Sequence, residues 1–202
     1  MTHIYFGFWP LLVFGIATLF TPGPNNLMLM TSGVHLGIGK SWPRIWGVAF
    51  GFAFLVLCVG LGLGSMLLDH PLLARFLRYA SIAYMMYLSY RTAIAPLPSS
   101  IVLIERGGGA FWSVVAFQWV NPKGWMMALA VASNYASVAT YPMNALVVAF
   151  LLGLIGVASS LLWVALGRLI QHAVRTPKIF RFFSIFMACL LLVSLYPILK
   201  TG

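Results

Sequence analysis

Charge is what this sequence has least of. Only 7% of its 202 residues are charged, while 62% are hydrophobic; a soluble domain carries about 25% charged residues. So few charges cannot cover a soluble core of this size, and lipid is the solvent that fits. Acid is scarcer still: Asp69 and Glu105 are the two carboxylates, and both fall at the ends of apolar runs. No carboxylate is therefore expected inside a span, where transporters often keep a proton carrier. Cysteine is limited to Cys58 and Cys189, each inside an apolar run, without CxxC spacing or a nearby His pair. That pattern argues against a disulfide or a metal site and for small buried hydrophobes. No Lys or Arg precedes the first apolar stretch, so the basic start of a signal peptide is missing and the first helix is expected to remain.

Catalytic patterns are missing too. The apolar runs hold no HExxH, no useful Ser–His spacing and no carboxylate pair, which argues against an intramembrane enzyme. There is no nucleotide-binding loop, so intrinsic ATP hydrolysis is not expected. No cofactor is implied. The formal charge of +10 comes from basic residues scattered between apolar runs, with no patch or stripe for nucleic acid. Basic loops on the cytoplasmic face of a membrane account for it.

What is present is a series of long apolar runs. A span needs roughly 20 apolar residues. The runs predict an all-α membrane protein, a single transmembrane domain over residues 1–202, with about six helices. The first covers about 4–20 and resumes, after an interruption, through 34. The others cover about 45–68, 72–94, 109–134, 142–167 and 181–199. The third is the weakest, because Arg75, Arg78 and Arg91 crowd its ends; without it the count is five. In the six-helix arrangement one side carries Lys40, Arg44, Arg91, Arg106, Arg168, Arg175, Lys178 and Arg181, and the other Arg75, Arg78 and Lys200. The basic side is expected in the cytoplasm, with both termini outside; losing the third helix would put the N-terminus inside. Gly60, Gly62, Gly64, Gly153 and Gly156 read as helix-packing positions.

Two proline motifs interrupt this pattern. Pro22-Gly23-Pro24-Asn25 breaks the first run and Asn121-Pro122-Lys123-Gly124 the fourth; Pro22 and Pro122 lie 100 residues apart. A proline inside a helix removes a donor and clashes with the preceding turn. At membrane depth, broken backbone is tolerated where it packs on protein or lines a cavity. Matching interruptions in two halves point to a transporter site between inverted repeats, here about 1–95 and 105–202.

Each break reads as a new helix start, with Thr21 or Asn121 as cap and Pro22 or Pro122 in the first turn. Such ends present free N–H groups and a partial positive charge, which suit a carboxylate. Lys123 adds a full charge within the membrane, a functional candidate by default; alternatively it caps carbonyls freed by the break. Asn25, Asn26 and Gln118 either bind a solute or satisfy freed backbone.

The stretches TPGPNNLMLMTSGVHLGIGKSWPRIWGVAFGF and AFWSVVAFQWVNPKGW resemble the LysE/RhtB family of amino-acid exporters, over essentially the whole chain. TPGPNN, FQWVNPK and IGVASSLLWVALGRLIQ look most like the branch exporting cysteine and O-acetylserine. The resemblance implies a multi-pass protein of the bacterial plasma (inner) membrane that moves amino acids or derivatives outward, driven by an ion gradient. It points to Pro22, Gly23, Pro24, Asn25, Asn121, Pro122 and Lys123. The chain departs from the family where the loop after the first helix carries only Lys40 and Arg44, and where Ala80 or Ser81 replaces a glycine.

The site expected from the residues is therefore Pro22, Gly23, Pro24, Asn25, Asn26, Gln118, Asn121, Pro122 and Lys123, with no metal. Expected partners are a small amino-acid-like substrate, membrane lipid and a coupling ion, H+ or Na+; a homo-oligomer stays open. A proton would have to use Lys123, a His or Tyr, the substrate or a terminal acid. His35, His70 and His172 read as solvated, Trp42, Trp46 and Tyr141 as interface anchors, Trp163 as a pocket candidate, and the Met residues as fillers. The rival readings are a channel, a non-transporting membrane subunit and, last, an intramembrane enzyme.

Overall fold

The structure is a computed structural model that describes residues 2–94, 108–134, 138–171 and 176–193. Glu105, Arg106, His172, Arg175, Lys200 and the junction between the two expected halves lie outside the described residues. Among those described, every regular element is a helix: α1 Thr2–Phe20, α2 Pro24–Cys58, α3 Gly64–Asp69, α4 Pro71–Ala93, α5 Gly108–Phe117, α6 Pro122–Asn134, α7 Met143–Ile170 and α8 Pro177–Val193. A π-helical turn, Val59–Leu63, joins α2 to α3, and a 3-10 turn, Gln118–Val120, ends α5.

Two helical stretches, Pro24–Leu67 and Met143–Ile170, are long and apolar enough to cross a membrane. Large apolar side chains also cover the outside, among them Phe50, Phe54, Phe150, Leu154, Phe182 and Phe186. An apolar exterior of this kind fits hydrocarbon rather than water. Cys189 belongs to it: it is exposed and Cys58 is half-buried, so neither is the fully buried hydrophobe expected, and both are free thiols.

The loop expected around Lys40 and Arg44 is absent. Helix α2 runs through it and bends at one residue, Gly37, with φ 71 and ψ −179. Only glycine reaches such a conformation cheaply, and Ser41 Oγ donates to the Gly37 carbonyl at 2.7 Å to close the bend. Gly37 thus divides α2 into a first arm, 24–36, and a second arm, 38–58. Gly62, read as a packing glycine, instead takes φ 126 inside the π-helical turn.

Small residues set the helix directions. On one side α1 and the first arm follow α7: Gly15 faces Leu152 and Ile155, Ser159 Oγ donates to the Leu19 carbonyl at 2.7 Å, and Gly33 and Gly167 press on the Val164 and Met30 carbonyls. On the other, α5 and α6 follow the second arm: Gly47 faces Phe111 and Val114, Gly51 faces Val115 and Gln118, and Gly124 faces Leu55. The second arm and α7 run antiparallel, since Gly60 meets Ala145, Gly153 meets Ala53 and Gly156 meets Ala49. The two interrupted helices, α1 with the first arm and α5 with α6, consequently run in opposite directions past each other.

Candidate functional site

The interruptions form where expected, with different caps. Helix α1 stops at Phe20, and Thr21 Oγ1 donates back to the Thr18 carbonyl at 2.7 Å. The new helix starts at Pro24, with Gly23 extended (φ −173, ψ 177) in the cap position and no side-chain cap. Thr21 and Pro22 are therefore not the cap pair; the second proline of the motif occupies the first turn. In the other break Asn121 is extended (φ −85, ψ 105) just ahead of α6. Its side chain does not cap: Asn121 is buried and its Oδ1 has no hydrogen-bond partner. Two helices thus begin mid-structure with no side chain closing their first N–H groups.

These two helix ends meet. Lys123 Nζ donates to the Thr21 carbonyl and to Thr21 Oγ1, both at 2.9 Å, and to the Pro22 carbonyl at 3.4 Å. Asn25 and Gln118 exchange amide hydrogen bonds at 3.0 and 3.1 Å, and Gln118 also donates to the Val114 carbonyl at 3.1 Å. Asn26 Nδ2 donates to the Leu19 and Thr21 carbonyls at 2.9 and 2.7 Å. A methyl group on Gly23 would lie 2.8 Å from Lys123 Cδ, so glycine is what lets the lysine stem cross the first break.

A cavity of about 20 Å³ lies between the breaks, lined by Gly23, Pro24, Asn25, Asn26, Asn121 and Lys123. Of the expected site residues, Pro22 is exposed and does not line the cavity, Gln118 reaches the cavity through Asn25, and Pro122 is buried at the start of α6. Ser159, Phe52, Gly124 and Met127 join the site without having been singled out; Gly124 closes the NPKG motif, and Ser159 reads as an ordinary small residue in a long apolar helix.

Two larger cavities flank the central one. One of about 200 Å³ is lined by Met28, Thr31, Ser32, His35, Arg44 and Thr92. The other, of about 210 Å³, is lined by Val56, Gly60, Val131, Ala132, Tyr141 and Asn144. The second arm of α2 and the turn after it give their order: Arg44 touches the first, Phe52 the central cavity, and Val56 and, in the turn, Gly60 the second. The residues expected as solvated or interfacial divide accordingly. His35 is no solvated loop residue; it lines the first large cavity with its ring edge-on to Phe180 at 5.8 Å. His70 is exposed, as a solvated residue would be, and Trp42 and Trp46 are exposed as well. Trp163 lines none of the three cavities and packs against the buried cluster of Leu29, Ile45, Val48, Val114 and Val164. Among the described residues no cluster of His, Cys, Asp or Glu could hold a metal ion.

A family model described as "LysE type translocator" matches residues 16–194. Similar curated proteins include the cysteine/O-acetylserine efflux protein of Salmonella typhi and that of Escherichia coli strain K12. Each is 28% identical over 170 residues, spanning 83% of this chain and 84% of the relative. No solved structure matches the chain.

Proposed function

The chain belongs to the LysE type translocator family, and from that premise we propose that it exports amino acids or close derivatives from the bacterial cytoplasm by alternating access at the junction of its two broken helices. As a member of a translocator family it is a membrane transporter and not an enzyme. The observation that carries the finer reading is the meeting of two uncapped helix N-termini and Lys123 at one central cavity. Helix N-termini and an ammonium group attract a carboxylate. Relatives named for efflux of cysteine and O-acetylserine favour an amino-acid-like solute.

The architecture behind this reading is six spans in two inverted three-helix halves. A two-fold axis would relate each residue to one about 100 positions on, as Pro22 is to Pro122. Residues touch their own counterparts only along that axis. Gly23 lies against Lys123, Ala53 against Gly153, and Ser89 Oγ donates to the Ala188 carbonyl at 2.9 Å. These contacts support the symmetry, as do the opposed directions of the two broken helices.

Closure on each side has its own bonds. The Asn25–Gln118 amide pair stands toward the cavity with Thr31 and His35. The Lys123 bridge to Thr21 and Pro22 stands toward the cavity with Tyr141. An arriving substrate carboxylate competes with the Thr21 and Pro22 carbonyls for Lys123. Binding then weakens the bridge and favours opening on that side, which couples occupancy to rocking of the halves. The coupling ion in this reading is H+ or Na+.

Purified protein in liposomes preloaded with labelled L-cysteine or O-acetyl-L-serine tests this. Saturable efflux that responds to an imposed ion gradient and collapses with an ionophore is expected. Lys123→Met should lower the rate about tenfold to a hundredfold, the scale of a hydrogen bond to a charged group. Linear flux indifferent to the gradient would show a channel. Wild-type rates in Lys123→Met, at matched protein level, would remove the site.

A further inference from the structure

We infer that α4 and α8 form a two-helix gate that moves as one body over the first large cavity, against the remaining helices. The inference rests on the export reading above and deepens it by naming the bodies that move. Each half gives its last helix to the pair, so rocking is carried along the seam between this pair and the rest. Two hydrogen bonds tie the pair together. Ser89 Oγ on α4 donates to the Ala188 carbonyl on α8 at 2.9 Å, and Arg181 Nη1 on α8 donates to the Ala93 carbonyl on α4 at 3.1 Å.

Glycine separates the gate from the core. Neither α4 nor α8 contains one, and among the described glycines none has an atom of α4 or α8 among its nearest neighbours. The other long helices lock backbone on backbone: Gly33 and Gly167 press on the Val164 and Met30 carbonyls, and Gly47 on that of Phe111. Small residues are what let membrane helices approach so closely. The gate meets the core through large side chains instead. Leu27 joins Met85, Met187 and Leu191 in one buried cluster, and Val34 joins Phe180 in another. The Phe180 ring lies edge-on to His35 at 5.8 Å, and Tyr84 lies 5.2 Å from Phe117. A seam of this kind suits shear, because methionine re-packs as helices slide.

The first large cavity lies in that seam. Leu27, Thr31 and His35 of the first arm form one wall, and Leu88, Thr92 and Leu191 of the pair form the other. The central cavity and the second large one take no wall from α4 or α8. The pair turns exposed Phe76, Tyr90, Phe182 and Phe186 outward, toward lipid that yields to a moving helix.

Reversible staples test this in a chain with Cys58→Ala and Cys189→Ala. One staple is internal to the pair and joins Ala93→Cys to Arg181→Cys. The other crosses the seam and joins Thr31→Cys to Thr92→Cys. Both are closed with a short bis-methanethiosulfonate reagent, checked by intact mass, and reopened with reductant. Counterflow of labelled O-acetyl-L-serine, which carries no thiol, is read in proteoliposomes against the same variant left unstapled. The internal staple should leave counterflow unchanged, and the seam staple should abolish it until reduction. Thr31→Cys with Leu88→Cys, and Ser89→Cys with Ala188→Cys, give the same readouts should either first pair fail to fold. Rigid halves would reverse the pattern, because the seam staple lies within one half and the internal staple joins the two. Loss of counterflow with the internal staple, or its persistence with the seam staple, overturns the inference and leaves the export reading intact. Absence of any L-cysteine or O-acetyl-L-serine counterflow in wild type would overturn the export reading itself, and the inference with it.

Discussion

The two breaks share a sequence device and differ in what they leave unmade. At the first break the carbonyls of three residues take up side-chain donors. Leu19 accepts from Asn26 and Ser159, Thr21 from Asn26 and Lys123, and Pro22 from Lys123. At the second, Gln118 is paired on both sides of its amide, yet Asn121 Oδ1 has no partner and Lys123 reaches across to serve the other break. The first break is a closed cradle, and the second carries the groups free to change partners. Two broken helices with similar motifs thus need not divide the work evenly.

That contrast can be broken most sharply through the two asparagines. Asn26→Ala removes two hydrogen bonds to carbonyls inside the fold and should cost about 1–3 kcal/mol, read as a lowered unfolding midpoint in detergent. Asn121→Leu removes no bond from its oxygen and should change the midpoint little. Equal destabilisation by both would erase the distinction between the breaks.

A smaller effect sharpens it. Asn25→Ala and Gln118→Ala should each cost about 1 kcal/mol. Together they should cost less than the sum by about 0.5 kcal/mol or more, because one amide pair is lost in either case. Additive losses would mean that the pair does not hold the two breaks together.

The breaks were legible because proline in a long apolar run has few harmless explanations. Their caps were not. Thr21-Pro22 and Gly23-Pro24 both satisfy local helix-start rules, and the choice falls to Gly23, because Lys123 crosses the chain there. The Asn25–Gln118 pair joins residues 93 apart, which no local pattern encodes, although both residues stood out as polar. The loop at Lys40 and Arg44 was misread for a related reason: charge marked a turn, but one glycine at 37 makes the bend while the backbone on either side stays helical. Asn121 was legible as a cap, and its failure to cap is visible only once its surroundings are known.

In the proposed mechanism the junction of the two breaks opens to one side at a time. It is tested most directly by placing Thr31→Cys and Ala132→Cys, one in each large cavity, separately in a chain with Cys58→Ala and Cys189→Ala. Labelling by a membrane-impermeant thiol reagent is then measured with and without L-cysteine protected as its S-methyl derivative. Each cysteine should react from its own side, and substrate should raise one rate while lowering the other. Labelling of both from the same side, unchanged by substrate, would contradict it.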